Sequence, residues 1–163
     1  MLQVDIKRLL DEKGVPYKLH PHEPLLTVKE IEGRLPFPPE RWVKSLAFQV
    51  RGEGWALVAL HAYSRLDYRK LADALGVKRG QLAQPAPEVL LRELGFEVGG
   101  VAPIPTRPGV KAVYDSALAD LHTVYCGSGR SDLTLEVSMQ DLIKLVKPIL
   151  APVAETQNVK RHQ

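Results

Sequence analysis

Apolar residues recur along the chain in two rhythms, one helical and one alternating, and their order predicts the elements. Leu2, Ile6, Leu9 and Leu10 fall on one face at helical spacing and Gly14 follows, so the chain opens with a short amphipathic helix. A strand is predicted over residues 15–20. Thr27 and Glu30 form a capping-box pair ahead of a brief helix, which the proline-rich LPFPPE at 35–40 ends. Two β-rich runs, 43–50 and 55–60, flank Arg51-Gly52-Glu53-Gly54, a hairpin signal. Ser64 and Asp67 can cap a helix that carries Leu71, Ala74 and Leu75 on one face and stops at Gly76. A second helix, APEVLLRELG, starts near Pro87 and stops at Gly95.

The Gly- and Pro-dense FEVGGVAPIPTRPG at 96–109 is a rigid irregular loop. Strands follow at 110–114, 122–126 and 133–137, with 127–132 turning between the last two. Ser138 and Asp141 then cap a final helix. The tail from Pro152 to Gln163 is expected to fray. Short strands with helices between them give the α+β (mixed α/β) class. One domain over 1–151 is expected, its mixed sheet curved or barrel-like around one core and flanked by helices.

Composition narrows this picture little. The chain is 163 residues long, 45% hydrophobic and 25% charged, and no apolar run approaches the roughly 20 residues of a membrane helix. With a charged opening segment, a cytoplasmic protein without a membrane partner is expected. The lone Cys126 excludes an internal disulfide and any Cys-rich zinc site. A net charge of +3 and a pI near 9.0 permit a polyanionic partner without demanding one.

In WVKSLAFQV at 42–50, alternation puts Lys44 on the same strand face as Leu46, Phe48 and Val50. A charged lysine there either snorkels to solvent from the strand end or meets an anion in a pocket. The pair Gly99-Gly100, with Pro103 and Pro105 beyond, either makes a plain turn or aims bare N–H groups at an oxyanion. Nucleophile chemistry finds little support, because no G-x-S-x-G elbow is present and a dyad of Cys126 with a histidine rests on no spacing. His20 and His22 share a strand face but lack a third metal ligand, so neither metal nor cofactor is expected. Tyr63, Arg65, Tyr68, Arg69 and Lys70 could follow a nucleic-acid backbone and stack a terminal base, or form a solvated helix face.

Taken in order, V-K-S-L-A-F, S-R-L-D-Y-R-K-L-A-D-A-L-G, L-G-F-E-V-G-G-V-A-P and the two strands leading to S-M-Q-D-L resemble the YbaK/prolyl-tRNA synthetase associated family over about residues 15–146. The resemblance implies a trans-editing aminoacyl-tRNA deacylase, cleaving the ester between a wrong amino acid and the 3′ end of tRNA. Such a second sieve exists because one pocket cannot strongly reject amino acids of similar or smaller size. It implies mischarged tRNA, and prolyl-tRNA synthetase, as partners. Lys44 then corresponds to the active-site lysine, and Gly99 with Gly100 to the glycine loop lining the pocket. Ser45, Tyr17, Trp42, Val101, Pro103 and Ser128 are assigned to substrate binding, Ile104 to the sieve, and Arg65, Arg69 and Lys70 to tRNA. Members that cut alanyl esters carry a histidine near the end of a late strand, where this chain has Tyr125-Cys126-Gly127-Ser128. The expected substrate is therefore cysteinyl-tRNA(Pro) or a related small aminoacyl ester. A non-catalytic module binding tRNA or a synthetase, and a small-molecule esterase, are the other readings.

Overall fold

Pairing of the β-rich runs organises the molecule. In a computed structural model, which describes residues 5–25, 27–32 and 34–156, the elements are α1 (Ile6–Glu12), β1 (Tyr17–Pro21), α2 (Val28–Ile31), β2 (Val43–Val50), β3 (Gly54–His61), α3 (Tyr68–Leu75), β4 (Leu82–Ala83), α4 (Pro87–Leu94), β5 (Val110–Asp115), β6 (Thr123–Gly127), β7 (Leu133–Ser138), α5 (Met139–Val146) and β8 (Ile149–Ala151). Leu2 of the predicted first helix lies outside the described residues. The described strands form a three-stranded sheet of order β1-β7-β6 and a five-stranded sheet of order β4-β2-β3-β5-β8. Only the β3–β5 and β5–β8 ladders are parallel, so the five-stranded sheet is mixed as expected. A parallel bridge from Trp42 to Tyr125 joins the sheets along one seam, and no barrel closes.

β3 is buried on both faces, which is why GWALVALH is a nearly unbroken apolar run. One face of the five-stranded sheet contributes Val43, Ala47, Leu57 and Tyr114 to the main core, with Leu90 and Leu94 of α4 and Leu135 and Val137 of β7. The other contributes Phe48, Val50, Val58 and Leu60, covered by Leu71 and Leu75 of α3. Asp67 caps α3 by accepting from the amides of Arg69 and Lys70, and left-handed Gly76 ends it. The Glu30 amide donates to Thr27 Oγ1 at 3.2 Å, as the capping pair predicted.

β4 and β8 are too short to leave a periodic signal, and the sequence showed neither. Part of the tail also departs from expectation. Val153 is fully buried, its N–H donates to the Asp115 carboxylate at 3.0 Å, and its carbonyl accepts from the Asp67 amide at 2.8 Å. These bonds tie 153–156 to both β5 and α3, so fraying does not begin at Pro152; residues 157–163 lie outside the described set.

The loop containing Gly99-Gly100 and the turn after β6 touch backbone to backbone. A Cβ on Gly100 would stand 2.4 Å from the Arg130 carbonyl carbon, and one on Gly127 would stand 2.0 Å from the Val101 oxygen. No side chain fits between them. Gly127→Ala is expected to cost about 3 kcal/mol or more, read as a lowered urea midpoint; a loss under about 1 kcal/mol would mean that the two loops are not in contact.

Candidate active site

Where the sheets meet, β2 has a half-covered edge. β3 pairs along its whole length, whereas β4 reaches only Gln49 and Val50. In an antiparallel ladder alternate residues bond to opposite sides. The Ala62 amide donates to the Trp42 carbonyl at 2.9 Å on the β3 side, and the Arg51 amide donates to the Gln81 carbonyl at 2.9 Å on the β4 side. Ser45 and Ala47 share Arg51's parity, so their peptide groups turn toward an edge that no described strand ladder covers there.

A cavity of about 380 Å³ opens along this edge. Because it follows an edge and not a face, both faces of β2 line it: Val43, Ser45 and Ala47 from one, Lys44 and Leu46 from the other. Val98, Gly99 and Val101 close it on one side, and Tyr125, Cys126 and Gly127 on another. Phe37 and Trp42 complete an aromatic wall, with Phe37 stacked on Tyr125 at 4.2 Å between ring centroids.

Lys44 is the unpaired cation of this mostly apolar wall; Arg130, which also lines it, is paired with Asp132 at 2.9 Å. The Lys44 ammonium is half-buried and has no acidic partner among the described residues. Burial first, and the positive charge of Arg65 second, hold its pKa below the ordinary lysine value. The exposed Arg65 guanidinium has the Glu155 carboxylate 3.8 Å away. Two neighbouring cations, one of them lining the cavity, favour an incoming anion. Ser45 Oγ and Trp42 Nε1 are also buried in this wall without a hydrogen-bond partner, each a liability of about 1–3 kcal/mol. Burial pushes the Cys126 thiol up to about 12, so it is a neutral liner and no nucleophile, and the Cys–His dyad is discarded.

Of the residues singled out in the sequence, Lys44, Ser45, Trp42, Gly99 and Val101 share this cavity. Others lie elsewhere. Gly100 is buried behind Gly99; its N–H donates to the Glu97 carbonyl at 2.9 Å, so that amide is not free for an oxyanion. Tyr17 is turned to α1, its hydroxyl donating to Asp11 at 2.7 Å. Pro103 is buried and its carbonyl accepts from the Tyr114 hydroxyl at 2.9 Å, while Ile104 belongs to the main core. Ser128 donates to the Leu133 carbonyl at 2.6 Å and borders a second cavity across the turn. The basic cluster divides in the same way: Arg65 neighbours Lys44, Arg69 is exposed on α3, and Lys70 donates to the Ala154 carbonyl at 3.0 Å. His20 bonds to Glu136 and His22 to Thr134, and the described residues contain no His, Cys, Asp and Glu group suited to a metal.

The family model for the aminoacyl-tRNA editing domain matches residues 22–145. The chain belongs to that family. Its editing domain is 31% identical over 121 residues to the proline–tRNA ligase of Thermotoga sp. (strain RQ2), covering 74% of this chain but 20% of the ligase. The chain therefore spans about a fifth of the length of that enzyme. The uncharacterized protein YwhH of Bacillus subtilis is 25% identical over 116 residues, with 71% of this chain and 72% of that protein covered. Two solved structures share the fold at 24% identity. One is a hypothetical protein (TM-score 0.81, covering 93% of this chain and 99% of that one), the other a candidate trans-editing enzyme for prolyl tRNA synthetase (TM-score 0.79, 96% and 100%).

The editing-domain cavity also contains features that sequence reasoning missed. Phe37 was hidden inside LPFPPE, which reads as loop, and Gly127 reads as an ordinary turn glycine. No helix of the described residues is long and apolar enough to cross a membrane.

Desolvation opposes the charged form of Lys44, so its penalty on folding is fully present below its folded pKa. Stability should rise with pH between that value and the roughly 10.4 of free lysine. Lys44→Met should remove the pH-dependent penalty and raise stability by roughly 0.5–1 kcal/mol. Urea titrations at several alkaline pH values read both effects; a less stable Lys44→Met would mean that the ammonium has a partner.

Proposed function

We propose that the protein is an aminoacyl-tRNA deacylase acting in trans, hydrolysing cysteinyl or another small aminoacyl ester on tRNA(Pro). The observation that carries this reading is Lys44, an unpaired half-buried cation lining an apolar cavity together with Gly99 in a chain of the editing family. At about 380 Å³ the cavity lies toward the small end of the roughly 300–1,000 Å³ typical of ligand pockets, in keeping with an aminoacyl group and part of its sugar.

In this mechanism the Lys44 ammonium holds phosphate or hydroxyl oxygens of the terminal nucleotide and fixes the ester beside β2. Water, assisted by the free ribose hydroxyl, attacks the carbonyl carbon. The oxyanion that forms accepts hydrogen bonds from the Gly99 amide and from the uncovered edge of β2 at Ser45, donors that need no rearrangement as the charge develops. The tetrahedral centre then collapses, the C–O bond to the ribose breaks, and the sugar oxygen takes up a proton. Free amino acid and uncharged tRNA leave. No protein nucleophile takes part, consistent with the neutral Cys126 thiol.

A panel of mischarged tRNAs tests the reading. Hydrolysis of cysteinyl-tRNA(Pro) or a small-residue relative is expected, with Lys44→Ala losing about a hundredfold or more in kcat/KM. Activity should fall with rising pH before the ordinary lysine pKa is reached, since the ammonium is the working form. Salt-sensitive tRNA binding without hydrolysis of any ester would favour a binding module; Lys44→Ala activity within a few-fold of wild type would remove Lys44 from the mechanism.

A further inference from the structure

Tyr63 is the one aromatic among the large apolar side chains left exposed in the described residues, at 49%. It is exposed but held. Its ring lies 6.0 Å from Trp42 and 5.7 Å from His61, tilted by 32° and 36°. Its amide donates to His61 Nδ1 at 3.1 Å, and its hydroxyl bonds to Glu32. That amide contact leaves the neutral imidazole's proton on Nε2 and fixes the chain where it leaves β3.

The neighbours of Tyr63 tie it to the cavity. Ala62 and Trp42 both line it, and Arg65, two residues further on, is the cation whose charge reaches Lys44. Residues 62–65 thus run from cavity wall, to exposed aromatic ring, to cation. A held, half-exposed ring beside two cations has the chemistry of a nucleotide platform, because every base offers a π-face and every nucleotide a phosphate.

We infer that Tyr63, backed by Trp42 and His61, stacks the terminal base of an RNA strand whose adjoining phosphate lies between Lys44 and Arg65. This rests on the deacylase reading for the choice of RNA, and it assigns base recognition to the end of β3, outside the cavity that would hold the ester. Arg69 and Lys70 have no part in it.

The experiment uses two uncharged RNA hairpins, one ending in single-stranded CCA and one lacking the last A, with binding followed by fluorescence anisotropy at fixed salt. Removing the A should weaken binding to the wild-type protein about tenfold and make no difference to Tyr63→Ala. Tyr63→Phe should keep the wild-type difference, and Arg65→Ala should weaken the CCA hairpin more than the shortened one, which lacks the adjoining phosphate. Equal penalties in wild type and Tyr63→Ala, no penalty in either, or no binding of either RNA would overturn the platform. Unchanged thermal unfolding of Tyr63→Ala excludes a folding defect. No ester is cleaved in this assay, so its outcome is separate from that of the mischarged-tRNA panel: a platform with no hydrolysis would sink the deacylase reading alone.

Discussion

The contact between two stretches of bare backbone is the constraint on which the site depends. Residues 99–101 and 127–130 approach so closely that no Cβ fits at Gly100 or Gly127. The Gly129 amide donates to the Gly100 carbonyl at 2.7 Å, and the Glu97 amide donates to the Gly129 carbonyl at 2.9 Å. Glu97 adds its carboxylate to the Ser131 amide at 2.8 Å. Two cavity walls from distant parts of the chain are thereby fixed to one another by peptide groups, which have no rotamers to lose. A pocket so held keeps its width when a ligand enters.

The second constraint is the unfinished edge of β2. Sheets normally protect their edges, and an uncovered row of donors and acceptors invites pairing. Here the gap is short, recessed between β2 and β6, and closed at one end by β4 and at the other by the Trp42–Tyr125 bridge. The same recess shelters Lys44 from bulk water. An orphan cation, two orphan polar side chains and an uncovered strand edge gather in one wall, while the rest of the core is almost wholly apolar. Instability concentrated in that way is what a site awaiting a polar ligand looks like.

Much of this was legible in the residues. Alternation placed Lys44 on the face of Phe48 and Val50, and Gly76 and Gly95 marked helix ends because a left-handed residue is needed there. The glycine pair was visible too, but its roles were not separable: only the backbone bonds distinguish Gly99, open to the cavity, from Gly100, which props the turn. Tyr17 and Ser128 come from the resemblance and Pro103 from the glycine-proline loop, and none of the three is among the residues lining the cavity. Face-by-face reasoning had no means of finding a pocket at a seam, where Lys44 and Ser45 point opposite ways and still share one space. Short β4 and β8 were invisible because two or three residues carry no period.

Cys126 has a chemical consequence for the proposed reaction. An ionised sulfur at that depth would compete with water for the acyl group and trap it as a thioester, leaving the protein blocked by its own substrate. Its burial keeps the sulfur protonated, so the wall stays inert toward activated esters and toward oxidants that require a thiolate.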